Sequence, residues 1–441
     1  MNISISIETY GCSMNYADSE MIAGLLKEQG FNITDFKDSD IVIVNTCTVK
    51  TPTENKILKK IRELEKSKRK VIVSGCIPAA IPELINKFPD FSFIGVNVTD
   101  IVDAVLCTAG GKRFVRIHGD THNRCKVSLP KIRRNPVTEI IPISEGCVGS
   151  CTYCQTKLAR GKLNSYPEEL ILKQIQSAVN DGVKEVWVTS QDNGAYGLDL
   201  DIGPDEANDS GTSLPKLLDK IQHISGNFKI RVGMMNPNHV LDFLDELIES
   251  YRKNDKIYKF IHIPVQSGDD SVLADMNRRY TAGDFKKIVS EFRNNIRGIT
   301  ISTDVIAGFP TETEEAFLHT IKLLEKTTPD VLNISRYWTR AGTKAAEMKQ
   351  HPGSLTNQRS RIINNVFRKI ALENNRQWIG WEGIALISEK AKSGGFWVAR
   401  NFAYKQILVK PDNDKNKDLL GKEINVKIKD AKFCDLRGEI L

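Results

Sequence analysis

The sequence predicts an α/β protein in three parts: an N-terminal parallel-sheet α/β domain, a partial (β/α)6 barrel, and a small C-terminal OB-like antiparallel β-barrel. Three observations carry this. Strand-like and helix-like segments alternate from the start to about residue 110, and again from about residue 138, an order that builds parallel sheets. After Arg376 the helical period stops, and short alternating strands follow between turns rich in Gly, Lys and Asp. The chain has 441 residues, long for one domain, and 40% hydrophobic content, enough for more than one core. The expected division is 1–112, a basic linker 113–137, then 138–376 and 377–441.

In the first part, Ile3–Glu8 has a period-two pattern and Ala17–Gln29 a helical one through Met21, Ile22, Leu25 and Leu26. Ile41–Val44 is a short apolar run, as in a buried parallel strand. Thr53–Glu65 reads as a helix, Val71–Ser74 as a strand and Ala79–Phe88 as a helix. Cys12, Cys47 and Cys76 each fall just past one of the three strands. That edge of an open α/β sheet is where ligands bind, so the three thiols converge on one spot. Gly11 and Gly75 give the backbone room to turn beside two of them. Cysteine is commonly a small buried hydrophobe, and Cys107, Cys125 and Cys434 read that way. Repetition at one structural position points instead to a cluster site.

Residues 112–137 are basic and irregular, which reads as a solvated connector, with a phosphate-contacting strip as the alternative. Strand Glu139–Ile143 then leads into Cys147, Cys151 and Cys154, spaced Cys-x-x-x-Cys-x-x-Cys. Three such thiolates can hold three irons of a cubane and leave the fourth open to a small molecule. A zinc site would want a fourth Cys or His at finger spacing, and none stands nearby. Pro167–Asn180 reads as an amphipathic helix. Strands are expected at Glu185–Thr189, Lys229–Val232, Phe260–Pro264, Thr300–Val305 and Val331–Ser335. Helices between them include Asp284–Asn294 and Glu312–Lys326, the latter with Thr311 as N-cap and Glu314 completing a capping box. Barrel sites lie at strand C-terminal ends, which brings forward Gln191, Asp192 and Asn193; Gln266 and Ser267; Arg278 and Arg279; Asp304; and Arg340, Gly342 and Thr343. Each of these residues also suits a role in its own turn. The acidic stretch 198–213 lacks calcium-loop spacing and reads as an exposed insertion.

Leu355–Arg376 closes the barrel domain as a basic helix. The strands after Trp378 carry Lys and aromatic residues on the same hairpins, as RNA-binding small barrels do. A net charge of +7 and a pI near 8.8 fit a nucleic-acid partner without establishing one. The opening residues have no secretory pattern, and no apolar run approaches the roughly 18 residues of a membrane span. Nine cysteines, an odd number, fit thiolates held for metal in a reducing cytoplasm better than a disulfide framework.

The cysteine spacing at 147–154 resembles that of radical S-adenosylmethionine (SAM) enzymes. Together with TYGCSMN, NTC and SGC around Cys12, Cys47 and Cys76, it resembles the methylthiotransferase family over nearly the whole chain. The resemblance implies two [4Fe–4S] clusters, one on each cysteine group, and SAM as cofactor. It implies SAM contacts from Gln191, Asn193, Gln266, Asp304 and Tyr153, with Asn15 and Asn45 at polar positions around the auxiliary cysteines, where an N-cap or turn role serves equally well. It further implies that one SAM methylates a sulfur on the auxiliary cluster and a second yields the radical that takes hydrogen from the substrate. The C-terminal part resembles a TRAM domain, with Arg400, Asn401, Tyr404 and Lys405 facing RNA. The family's Arg-Pro-Gly-Thr-Pro pattern is broken by Ala341 and Lys344, which leaves the rigidity of that loop open, while Arg340, Gly342 and Thr343 remain. The run Thr156-Lys157-Leu158-Ala159-Arg160-Gly161 resembles the archaeal and eukaryotic branch acting on threonylcarbamoyladenosine at position 37 of tRNA, with Lys157 and Arg160 available to meet the threonyl carboxylate. Isopentenyladenosine at the same position, or an aspartate of a ribosomal protein, are the other substrates of the family. An iron–sulfur RNA-binding module without catalysis is the non-enzymatic alternative. The enzyme reading needs tRNA, an electron donor and a sulfur source as partners, and no membrane.

Overall fold

The computed structural model describes residues 3–48, 51–117, 125–200, 211–392, 394–411 and 418–441. The linker residues 118–124 and the acidic residues 201–210 thus lie outside the described residues.

The first sheet is six-stranded and parallel, in the order Asn32–Ile33, Ser4–Thr9, Ile41–Thr46, Lys70–Gly75, Ser92–Ile94, Val115–Arg116. Its central strand is buried throughout because it is apolar on both faces. Ile41 and Ile43 face one cluster, with Met21 and Ile22 of helix Ser13–Glu28 and Ile101 of helix Ile101–Ala109. Val42 and Val44 face the other, with Ile57 and Ile61 of helix Thr51–Lys66. Alternation of side chains along a strand makes one sequence serve both layers. Three short strands, at 32–33, 92–94 and 115–116, were not legible. The helix expected at Ala79–Phe88 is two helices, Cys76–Ala80 and Glu83–Lys87. Pro82 forces the break: Ile81 before it leaves the helical region, at φ −136 and ψ 70.

The middle part has two three-stranded parallel sheets. One is Thr138–Pro142, Glu185–Thr189 and Lys229–Val232, and the other Phe260–His262, Thr300–Ala307 and Val331–Arg336. A single apolar core runs through both, from Ile141 and Val188 to Ile261 and Val305, so the six strands form an open barrel. Helix Glu314–Thr327 is capped by Thr313, whose side chain accepts from Ala316 N at 3.1 Å, and not by Thr311. The start is displaced because Glu312 is drawn inward, where it accepts from Gly308 N at 2.9 Å and pairs with Arg359 at 2.7 Å. A capping box is found instead at Thr281 and Asp284.

The C-terminal strands Glu382–Lys390, Trp397–Arg400, Gln406–Val409, Leu436–Ile440 and Glu423–Ala431 close a five-stranded barrel in that order. It docks on the N-terminal ends of the middle strands: Lys259 N donates to Phe402 O at 2.8 Å, and Lys405 pairs at 2.7 Å with Asp330, just before Val331–Arg336. The cysteine loop leaves the opposite ends.

The basic run before the barrel is drawn into the protein at Lys126, Lys131 and Arg133, while Lys112, Arg113 and Arg134 stay exposed. Lys126 and Lys131 side chains are 2% and 8% exposed and paired with acids. Arg133 bonds Glu139 at 2.5 Å. Carboxylates buried on both neighbouring parts draw these cations in. No described helix is long and apolar enough to cross a membrane.

Candidate functional site

Cys147, Cys151 and Cys154 sit in a loop that is fixed from several sides. Ser144–Glu145 pairs with Asn164–Ser165 across its base. Gly146 has φ +80, and a Cβ there would stand 1.8 Å from Lys162 O, so only glycine fits. Gln191 Oε1 accepts from Gly146 N at 2.6 Å, and Lys157 donates to Gly149 O at 2.8 Å. Asn277 donates to Ser150 O at 2.8 Å. Gly149 N lies 3.2 Å from Cys147 Sγ. Burial pushes the Cys147 thiol up to about 11 and raises Cys151, the latter offset by the charge of Arg278. Desolvated thiols such as these ionise when a cation takes the charge, the usual state of metal ligands. No three described His, Cys, Asp or Glu side chains close on one metal-ion position. Cubane ligands bind separate irons at the corners of a cube and do not need to. Three thiols on one loop are a donor set that fits such a cluster.

The N-terminal cysteines do converge. Cys12 stands at the N-terminal boundary of helix Ser13–Glu28, Cys47 follows the central strand, and Cys76 opens helix Cys76–Ala80. Cys12 and Cys47 share a hydrogen bond that, with the charge of Arg160, brings the Cys12 thiol down to about 6. Burial raises Cys76. Gly11, at φ +119, approaches so closely that a Cβ would lie 2.7 Å from Cys47 Sγ. Asn15 and Asn45 neither cap nor turn: Asn15 donates to Thr46 O at 2.7 Å, and Asn45 to Asn15 O at 2.8 Å. They stitch helix to strand beneath the thiols.

One short helix joins the two groups. Thr156–Arg160, directly after Cys154, packs on Cys76–Ala80, with Ala159 against Cys76. At its end Arg160 is 5% exposed. It bonds Asp18 at 2.7 Å and Glu145 at 2.6 Å, and Lys126 bonds the same two acids at 2.8 and 3.0 Å. Burial opposes charge on Asp18, yet Lys126 and Arg160 hold it below the usual carboxylate range. Arg160 was expected at the substrate carboxylate; it is instead desolvated and already engaged by two protein carboxylates. Lys157 is likewise engaged, on the cysteine loop.

A cleft of about 540 Å³ opens beside Tyr153, lined by Gln266, Asp304, Arg336, Trp338 and Arg340 among others. Tyr153 stands edge-on to Phe309 and hydrogen-bonds Arg278. Asp304 Oδ2 is 2.9 Å from His262 Nε2, and Gln266 holds φ +67. Asn193 is not at the cleft wall: it is fully buried, donates to Met234 O at 2.9 Å, and its Oδ1 has no partner. Arg340 pairs with Glu54 of the first part. The loop without its prolines is tied to the cysteine loop, Gln155 to Ala341 O and Ala345 N to Thr152 O, both at 2.9 Å. Sequence reasoning passed over Arg336, Trp338, Arg361 and the Asp18–Lys126–Glu145–Arg160 cluster. An acid on the apolar side of a helix, Asp18 among Met14, Met21 and Ile22, was the available signal.

The residues expected to face RNA are buried or half-buried. Lys405 is 6% and Asn401 1% exposed. Tyr404 packs on Tyr258 and Phe260, and Arg400 stacks on Tyr404 at 4.6 Å. They form the seam with the open barrel, because that hairpin is the part of the small barrel that docks. A cation–aromatic group on its outer side, Phe396 with Lys410 at 5.1 Å and Arg437 at 5.6 Å, is free of that seam.

Residues 141–324 match the Radical SAM superfamily, and residues 4–95 match an uncharacterized protein family, UPF0004. The radical SAM methyltransferase TsrM of Kitasatospora setae shares the fold, with TM-score 0.54 over 78% of this chain and 77% of its own at 14% identity. An open six-strand barrel with this cysteine loop is that of a radical SAM enzyme. A probable threonylcarbamoyladenosine tRNA methylthiotransferase of Pyrococcus horikoshii is 42% identical over 442 residues, covering 100% of both chains. The Homo sapiens threonylcarbamoyladenosine tRNA methylthiotransferase is 37% identical over 99% of this chain and 73% of its own. The chain belongs to the threonylcarbamoyladenosine tRNA methylthiotransferase family.

Proposed function

We propose that this protein transfers a methylthio group to C2 of N6-threonylcarbamoyladenosine at position 37 of tRNA. The observation that carries the reading is the packing of Cys76 on Ala159, which sets two cysteine groups on either side of one short helix in a chain similar along its whole length to enzymes of that name. Cys147, Cys151 and Cys154 would hold one [4Fe–4S] cluster, and Cys12, Cys47 and Cys76 a second. When bound, these supply the electron that cleaves SAM to a 5′-deoxyadenosyl radical and the iron that presents the sulfur. The chain's own residues do the positioning. Gln191 and Lys157 hold the cysteine loop by Gly146 N and Gly149 O. Tyr153, Gln266 and Asp304 wall a cleft within the size range of small-molecule sites, where SAM and the target base would meet. Tyr337 lines the cleft as well, and Phe309 packs edge-on behind it and Tyr153. Asn193 acts from behind, holding the turn after Glu185–Thr189.

On this reading residues 1–112 carry the auxiliary cysteines, 138–376 the radical chemistry, and 377–441 a TRAM-type RNA contact. An electron donor and a sulfur source come from other proteins, in the reducing cytoplasm. The test is turnover: protein reconstituted anaerobically, given SAM, dithionite and threonylcarbamoyl-modified tRNA, followed by nucleoside mass analysis. A methylthio gain on the modified adenosine is expected. Formation of 5′-deoxyadenosine without that gain would reject the substrate and turn the search to isopentenyl tRNA or ribosomal protein. Neither product, with clusters intact, would reject the enzyme.

A further inference from the structure

Most cations around the cleft are engaged. Arg340 pairs with Glu54, Arg359 with Glu312 and Glu314, and Arg278 with Asn236 and Tyr153. Two are not. Arg336, the last residue of strand Val331–Arg336, and Arg361, on helix Gly353–Arg376, both line the cleft, and their side chains make no hydrogen bond or ion pair to any described residue. Among the described residues the guanidinium of Arg336 touches the Trp338 ring, 4.7 Å away and 37% exposed. Stacking on that face holds a guanidinium plane while leaving its N–H edge open. Both arginines stand on regular secondary structure, so their placement does not depend on a loop.

We infer that Arg336 and Arg361 form the anion-reading edge of the cleft and take the carboxylate of the threonylcarbamoyl substituent. The inference rests on the proposed function and names the side chains that choose its substrate. Guanidinium groups match a carboxylate with paired N–H donors. An uncharged isopentenyl substituent would desolvate the same two cations and return nothing, so the edge selects against it as well as for the acid. Position inside the cleft that Tyr153 and Asp304 line places the anion close to the target base. The two other anions at hand are a backbone phosphate of the RNA and the carboxylate of SAM itself, and the test separates them.

The experiment uses the holoenzyme and three anticodon stem-loops differing only at the target adenosine: threonylcarbamoyl, its methyl ester, and isopentenyl. Binding is read by fluorescence anisotropy, with SAM binding followed separately by equilibrium dialysis. Wild type should favour the free acid over the ester by about tenfold or more, the worth of a charge-assisted hydrogen bond. Arg336→Gln and Arg361→Gln should each lose most of that preference while isopentenyl and SAM binding hold. Equal weakening on all three RNAs would overturn the inference in favour of phosphate contact. Weakened SAM binding would overturn it in favour of the SAM carboxylate, and an undiminished preference in both variants would overturn it outright. Wild type showing no preference for the acid over isopentenyl would sink the proposed function and the inference with it. Arg361 is exposed on its helix, so Arg361→Gln decides the matter if Arg336→Gln fails to fold.

Discussion

Lys126→Met is the substitution most informative about how the two halves of the site are held. Lys126 donates to Asp18 at 2.8 Å, Glu145 at 3.0 Å and Val96 O at 2.8 Å, with a side chain 2% exposed. The four buried charges, two acids and two cations, cancel. Methionine fills similar space but leaves one buried negative charge uncompensated. Breaking a buried pair from one side costs about 3–5 kcal/mol. A chain of several cores has no single unfolding free energy, so the cost is best read locally. Amide hydrogen exchange over residues 13–28 and 143–160 should lose about 10³-fold in protection, the equivalent of roughly 4 kcal/mol. Strands of the C-terminal barrel should not change. Adding Glu145→Gln to Lys126→Met restores charge balance and should recover part of the protection. Unchanged exchange in the single variant, or no recovery in the double, would refute the electrostatic account.

Other outcomes are as specific. Glu20 is buried, one carboxylate oxygen has no partner, and burial lifts it from 4.5 to about 7. The folded form therefore binds the proton more tightly, so its contribution is full below pH 4.5 and is lost as pH rises to about 7, amounting to roughly 3 kcal/mol at most. Glu20→Gln should raise the melting temperature above pH 7 and flatten that slope; a parallel pH profile would count against it. If the cysteine groups hold separate cubanes, Cys76→Ser and Cys151→Ser should each fall from roughly eight irons to about four, and a zinc-loaded or fully iron-free product from either would reject the assignment. Phe396→Ala should weaken tRNA binding by a stacking contact worth about 1–3 kcal/mol, whereas Lys405→Ala should loosen the small barrel from its seat at Asp330; tRNA affinity indifferent to Phe396 would move the RNA face elsewhere.

Much of the site was readable in one dimension. The spacing of Cys147, Cys151 and Cys154 is local, and local spacing is chemistry. Cys12, Cys47 and Cys76 were readable because a parallel sheet brings its strand ends to one edge. Helices Thr51–Lys66 and Ala282–Asn295 were legible to within two residues at each end, as Thr53–Glu65 and Asp284–Asn294. The misreadings share a cause. Lys126, Arg160, Arg400 and Lys405 are long cations, and a sequence cannot say whether a cation meets water, RNA or a buried acid many residues away. Asp18 lies 108 residues from Lys126 and 142 from Arg160.

By itself, then, the amino-acid order determined the periodicities, the strand-end cysteines, the cluster-type triad and the three-part α/β plan, since each depends on neighbours within a turn or a strand. Only tertiary structure decided which charges are spent holding the parts together and which are left facing the cleft. That choice depends on where acids from distant segments come to rest, and on the cost of burying any charge without one. Arg160 found two such acids, and Arg336 and Arg361 found none among the described residues.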